Sequence, residues 1–196
     1  MSSEQREHAE HTVPGLGGLG PRVARFDTAV DEWLETIRGN PTVDRVATTA
    51  SKLGDWSTIW HAAGLARALA GGRLRESIAL DIGLAAESLI VNQGVKRLFR
   101  RERPTESGDD RYDVRRPSTS AFPSGHASAA AFAAVTLIRW SRGRTSPIWL
   151  TMAVVVGASR AVVRIHHASD VVGGALTGIT LARVLARPLD RRAGRR

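Results

Sequence analysis

Residues 126–185 decide the fold. They read HASAAAFAAVTLIRW at 126–140, PIWLTMAVVVGASRAVVRI at 147–165 and DVVGGALTGITLARVL at 170–185. Each run is apolar and rich in small residues, and none alternates with the period of two that a half-buried strand needs. The strongest β-like run, Ala153-Val-Val-Val-Gly-Ala158, lies inside a longer apolar stretch. Short breaks separate the three runs, and in a helical protein short breaks make antiparallel neighbours. Two more apolar segments precede them: Trp56–Ala70, ended by Gly71-Gly72, and Ser77–Phe99, interrupted by Asp81, Glu87 and Asn92-Gln93. The expectation is an all-α, antiparallel helical bundle of about five core helices.

Upstream the pattern changes. Phe26, Val30, Trp33 and Ile37 recur at helical spacing with acids between them, so Phe26–Arg38 is expected to be an amphipathic helix, ended at Asn40-Pro41. Val43–Leu53 is a second short helix, stopped at Gly54. Residues 1–24 begin polar, with no apolar core of a signal peptide, and run into Pro14-Gly-Leu-Gly-Gly-Leu-Gly; they are read as a disordered leader. The organisation expected is a leader (1–24), an amphipathic helical segment (25–54), the bundle (55–187) and a basic tail (188–196).

The chain's 196 residues suit one domain, and no internal repeat points to a second. Zero cysteines rule out a disulfide framework, a Cys-ligated metal and a thiol nucleophile. The net charge is +9, but residues 187–196 alone hold five arginines and one aspartate, so nearly half of it says little about the fold. With one tyrosine and no recognition motif, nucleic acid is not an expected partner.

The membrane signal is intermediate. A spanning helix needs about 20 largely apolar residues. Thr145–Ser159 is uncharged but stops at Arg160, and Val171–Ala182 is shorter still before Arg183. Ala127–Ala134 and Gly173, Gly174, Ala175 and Gly178 permit close helix contact. Trp140 and Trp149 stand near segment ends, as interfacial anchors would. The bundle is therefore expected to be embedded in the cell membrane as a multi-pass protein with short spans.

Three polar patches interrupt this pattern. Lys96-x6-Arg103-Pro104 ends the second apolar segment, Pro123-Ser124-Gly125-His126 opens the third, and Ser159-Arg160-x5-His166-x3-Asp170 bridges the fourth and fifth. In an up-down bundle all three fall at one end. That end offers three fixed cations in Lys96, Arg103 and Arg160, and arginine presents a planar fork suited to phosphate oxygens. Ser124 and Gly125 sit at a helix N-terminus, where free N–H groups favour an anion. The result is a pocket for a tetrahedral oxyanion. His126 and His166 titrate near neutrality, and Asp170 can accept from one imidazole, fix its tautomer and leave its other nitrogen as a nucleophile.

Together these eleven specified positions resemble the tripartite signature of the type 2 phosphatidic acid phosphatase superfamily, which includes bacterial class A acid phosphatases and vanadium haloperoxidases. The motifs span 96–170, and the apolar pattern extends the likeness to roughly 55–187; residues 1–54 are not covered. The resemblance implies that His166 is the nucleophile that forms a phosphohistidine, Asp170 its orienting carboxylate and His126 the general acid. It implies that Lys96, Arg103, Ser124, Gly125 and Arg160 hold the phosphate. It implies no cofactor and no metal, in keeping with a pocket that already carries three cations and lacks a carboxylate cluster.

The leading expectation is a membrane-associated phosphatase acting on a lipid phosphate or diphosphate: phosphatidate, phosphatidylglycerophosphate or a polyprenyl phosphate. Three alternatives stand beside it. One is a soluble acid phosphatase, favoured by the weak spans. Another is a vanadium haloperoxidase, opposed by the short chain. The third is a non-enzymatic basic protein binding membrane or nucleic acid, opposed by the position of the charge. Oligomeric state is not legible.

Overall fold

The structure, a computed structural model, describes residues 19–105 and 109–194. Two amphipathic helices come first, α1 (Pro21–Glu35) and α2 (Pro41–Gly54). Pro41 suits the first turn of α2, and the Asn40 side chain caps it by accepting from the backbone N–H of Thr42 at 3.0 Å and Val43 at 3.3 Å. A tight turn, Asp55–Ser57, leads into α3 (Thr58–Gly71), and α4 follows (Leu74–Leu89). The α4 axis continues through a wide π turn, Ile90–Gly94, and a 3₁₀ turn, Val95–Leu98. A long polar loop then reaches α5 (Gly125–Trp140), α6 (Ser146–Val162), α7 (Ala168–Val184) and the short α8 (Ala186–Arg192). No strand occurs among the described residues.

The five expected core helices are α3 to α7, with α5 at the centre against α4, α6 and α7. Its Ala-rich face is buried almost throughout, and Phe132, Leu137 and Trp140 fill the core with Trp60, Leu80, Leu84 and Val156. Small residues let α7 approach α5 closely: a Cβ at Gly174 would stand 2.3 Å from the Ser124 carbonyl oxygen, and one at Gly178 only 2.1 Å from that of Ser128. A second cluster, Leu34, Ala47, Tyr112, Val162, Val163 and Ile165, ties α1, α2 and the polar loop to the end of α6.

Several expectations are corrected. The leader reading through residue 24 overlaps α1, which starts at Pro21; residues 1–18 lie outside the described residues. Of the apolar positions expected along the first helix, Val30 and Ile37 pack on the second cluster, whereas Phe26 and Trp33 face outward, 47% and 61% exposed, and Asp27 and Leu34 are buried. Asp27 turns inward because its carboxylate meets Arg101 and Ser169. Trp140 is no interfacial anchor: it is buried, and its indole N–H donates to Asp190 at 3.1 Å. The basic tail is not all tail, because Leu189 packs into the core and Asp190 also pairs with Arg139.

Among the described residues one helix, Leu74–Leu98, is long and apolar enough to cross a membrane. α7 and α8 would make a second only as one span bent by 59°. The outer faces of the bundle carry exposed Leu65, Leu69, Ile82, Leu89, Val154 and Leu176.

Candidate active site

The polar patches meet at one end of the bundle, as the topology requires. Ser124 caps α5, and its backbone N–H donates to the carbonyl of Asp170 at 2.9 Å, which pins the start of α5 to the start of α7. The Lys96 ammonium, delivered by the irregular end of α4, lies 3.8 Å from where a Cβ on Gly125 would be, and donates to Thr119 Oγ1 at 3.3 Å. Arg103 is held by three carbonyls of the loop and of the α6–α7 connection: Pro117 at 3.1 Å, Thr119 at 3.0 Å and Ile165 at 2.9 Å. Arg160, at 0% exposure, donates through one amino group to Ser51 Oγ. Its Nε and second amino group have no hydrogen-bond partner among the described residues, a costly state for a buried guanidinium.

His166 follows the tight connection after α6, its backbone N–H donating to Arg160 O at 3.1 Å. Nε2 lies 3.3 Å from an amino nitrogen of Arg103. Arginine has only donors to offer, so Nε2 presents its lone pair and Nδ1 holds the proton. Nδ1 faces Asp170 Oδ2 at 3.6 Å, an ion-pair distance longer than a hydrogen bond, and has no hydrogen-bond partner among the described residues. Burial pushes the imidazole down to about 3; Asp170 opposes the shift, and Arg103 and Arg160 reinforce it. The ring is therefore neutral at physiological pH. Arg103, buried and beside Arg116, falls to about 10 and keeps its charge.

Asp170 is fully buried at the first turn of α7. Oδ2 accepts from the His167 backbone N–H at 2.8 Å, and Oδ1 accepts from Arg101. Arg101 bridges Asp170 to Asp27 of α1, and Asp27 takes the backbone N–H and the hydroxyl of Ser169, each at 2.8 Å. His126, in the first turn of α5, turns its ring toward α2: Nε2 lies 3.2 Å from Ser51 O and 3.1 Å from Asp55 Oδ1.

All eight residues singled out from the sequence thus converge, and five more join them. Ser51, Asp55, Asp27, Arg101 and Thr119 lie outside the three motifs. None of Asp27, Ser51 and Thr119 carried a signal; in the sequence Asp27 is one more acid between the apolar positions of an amphipathic helix. An open cleft of about 1030 Å³ leads to this end of the bundle, lined by Lys96, Arg100, Arg101, Arg103, Arg116 and Thr119 among others. No group of three or more His, Asp or Glu side chains suited to a metal occurs among the described residues. Chemically, the arrangement offers a neutral imidazole lone pair, a second imidazole and fixed cations around a space open to an anion.

Comparison with known proteins gives a consistent picture. The model of the PAP2 superfamily matches residues 78–192. Decaprenylphosphoryl-5-phosphoribose phosphatase of Mycolicibacterium smegmatis is 36% identical over 141 residues, 70% of this chain and 74% of that protein. The crystal structure of a transmembrane PAP2-type phosphatidylglycerolphosphate phosphatase from Bacillus subtilis superposes with a TM-score of 0.68 at 23% identity, covering 89% of each chain, which shows a shared fold.

Proposed function

The chain belongs to the PAP2 superfamily and is a phosphatase of that type, and from this premise we propose that it removes phosphate from a membrane lipid phosphate or diphosphate through a phosphohistidine at His166. One observation carries the reading: a neutral imidazole, backed by a buried carboxylate, turns its lone pair toward Arg103 beside the unpartnered N–H groups of Arg160.

In the first step His166 Nε2 attacks phosphorus and the P–O bond to the alcohol breaks. The proton on His126 goes to the departing oxygen, and Asp170 stabilises the positive charge that develops on His166. Lys96, Arg103 and Arg160, with the backbone of Ser124 and Gly125 at the start of α5, hold the equatorial oxygens. In the second step water attacks phosphorus, giving a proton back to His126 as the P–N bond breaks. Phosphate leaves and His166 returns to its neutral form.

The lipid part of the proposal is supported by the names of the two relatives and by the apolar residues exposed around the bundle. A multi-pass arrangement belongs to the same reading. α6 and α7, each 17 residues, are about 25 Å long at 1.5 Å per residue, and short spans of this kind are accommodated by local thinning of the bilayer.

Phosphate release is measured on the detergent-solubilised protein with phosphatidate, phosphatidylglycerophosphate, a polyprenyl phosphate and nitrophenyl phosphate. An acid-labile, alkali-stable phosphoenzyme is expected in the wild type and absent in His166→Gln. Turnover by His166→Gln near the wild-type rate overturns the nucleophile. Release confined to soluble esters, with no need for detergent, overturns the lipid reading.

A further inference from the structure

The turn between α2 and α3 is strained where it meets the site. Trp56 (φ 55°, ψ 21°) and Ser57 (φ 59°, ψ 23°) are consecutive non-glycine residues in the left-handed region, a conformation a bulky tryptophan adopts only where its surroundings impose it. Arg115 stacks 4.8 Å over the Trp56 ring, which is otherwise 77% exposed. This geometry points Asp55, extended at ψ 132°, back at α5. Its Oδ1 stands 3.1 Å from His126 Nε2, and the carbonyl of Ser51, one helical turn earlier, takes the same nitrogen at 3.2 Å. Gly54 leaves room for the ring: a Cβ there would lie 2.5 Å from His126 Cδ2. The residues Ser51, Gly54 and Asp55 precede the span matched by the family model, and an acid opening a helix has no need of a histidine partner.

The inference rests on the reading of His126 as general acid. We propose that Asp55 is the positioning residue of that acid: it accepts the Nε2–H of His126, so that Nδ1 carries the proton delivered to the leaving oxygen. Both neighbours of Nε2, a carboxylate and a carbonyl, only accept, so Nε2 stays protonated throughout. Nδ1 then cycles, giving its proton to the leaving oxygen as the P–O bond breaks and recovering one from water as the P–N bond breaks. Asp55 remains ionised. Burial pulls its carboxyl up, but His126, Arg160 and Arg115 outweigh that and hold it below the usual range. Burial lowers the His126 imidazole most and Arg160 from α6 adds to this, while Asp55 from the turn and the Ser51 carbonyl oppose it by favouring the imidazolium. Removing Asp55 leaves only the Ser51 carbonyl against burial and Arg160.

The test uses full-length Asp55→Asn and Asp55→Glu in detergent. With an alkyl phosphate, Asp55→Asn is expected to lose about 10–100-fold in kcat/KM, part of the roughly 10²–10⁴-fold that a general acid supplies. With nitrophenyl phosphate, whose leaving group needs little protonation, the loss should be several-fold smaller. The alkaline limb of the pH profile should move to lower pH, Asp55→Glu should restore part of both effects, and Asp55→Asn should cost little more in a His126→Asn background. Equal losses on both substrates with an unmoved alkaline limb, or full activity, would overturn the proposal. The titration of His126, followed by NMR of ¹⁵N-labelled protein, reads the same coupling without turnover: its midpoint should fall in Asp55→Asn, and an unchanged midpoint refutes the positioning role. A wild type that hydrolyses no phosphate would refute the proposed function instead, and the NMR result would stand separately.

Discussion

Replacing Gly174 by alanine tests whether the site depends on the closeness of α5 and α7. The new methyl would stand 2.3 Å from Ser124 O and 3.2 Å from Ala127 Cβ. Real Cβ contacts below 3.0 Å are essentially absent, so at least about 0.7 Å must be found by moving something. The obstacle is a backbone carbonyl in the cap of α5, which cannot swing aside as a side chain would. α7 therefore has to back away, and with it Asp170, whose carbonyl accepts from the Ser124 N–H. One helix carries Ser124, Gly125 and His126 and the other carries Asp170, so the shift separates the phosphate cradle and the acid from the carboxylate behind the nucleophile. Functional constellations tolerate about 0.5 Å, and misplacement of about 1 Å costs on the order of 10²-fold. A loss of roughly 10²-fold in kcat/KM is expected. Stability should change less. Overpacking costs about 1–3 kcal/mol, offset by up to about 1 kcal/mol from the better helix former, so Tm should fall by only a few degrees. Gly157→Ala on α6 is the control, because its methyl would lie 3.5 Å from Val171 Cγ1 and 3.7 Å from Ala127 Cβ, ordinary contact distances. Both variants are assayed for kcat/KM and Tm in one detergent. Wild-type kcat/KM in Gly174→Ala, or equal losses in the two variants, would refute the reasoning.

Three further outcomes are expected. His126→Ala should cost far more on an alkyl phosphate than on nitrophenyl phosphate, whereas Arg160→Ala, which removes a phosphate contact common to both, should cost the two about equally; the kcat/KM values of both variants decide it. Activity should survive EDTA, because Lys96, Arg103 and Arg160 supply the charge that a metal would otherwise bring, and loss on chelation with rescue by Mg²⁺ would count against this. The depressed His166 makes stability fall on acidification: between its unfolded value of 6.5 and its folded value of about 3 the unfolded chain binds the extra proton, so stability present above 6.5 is lost as pH drops through that window. His167, also held low by burial, adds to this loss, so His166→Gln should flatten, without abolishing, the slope of Tm against pH between 6.5 and about 5; unchanged slopes would contradict the buried, neutral imidazole.

The convergence of the motifs was legible because it follows from topology: in an antiparallel bundle, the end of α4, the start of α5 and the junction of α6 with α7 share one end whatever the side-chain detail. Residue spacing carries that information locally. Ser51 and Asp55 were not legible for the opposite reason. In Ser51-Lys-Leu-Gly-Asp55 the chain shows only an ordinary helix end, with a basic last turn, a glycine stop and an acid to open the next turn. Ser51 meets His126 and Arg160 across 75 and 109 positions, and Asp55 meets the same histidine from far along the chain, relations that no local pattern encodes.

The exposed apolar residues of α1 and the buried Trp140 share a deeper cause. In a soluble fold the apolar side of a helix faces the core, and tryptophans at segment ends suit an interface. Yet Phe26 and Trp33 face outward while Asp27 is buried, and Trp140 is enclosed while Trp56 lies exposed. If the belt around the bundle meets lipid, the outside is as apolar as the core, and hydrophobicity alone no longer distinguishes them. What marks the interior is then polarity that has been given a partner. Asp27 with Arg101 and Asp170 with the His167 N–H are buried because each has one. In such a fold the charged residue inside an apolar helix is a better guide to the core, and to the site, than the hydrophobic stripe beside it.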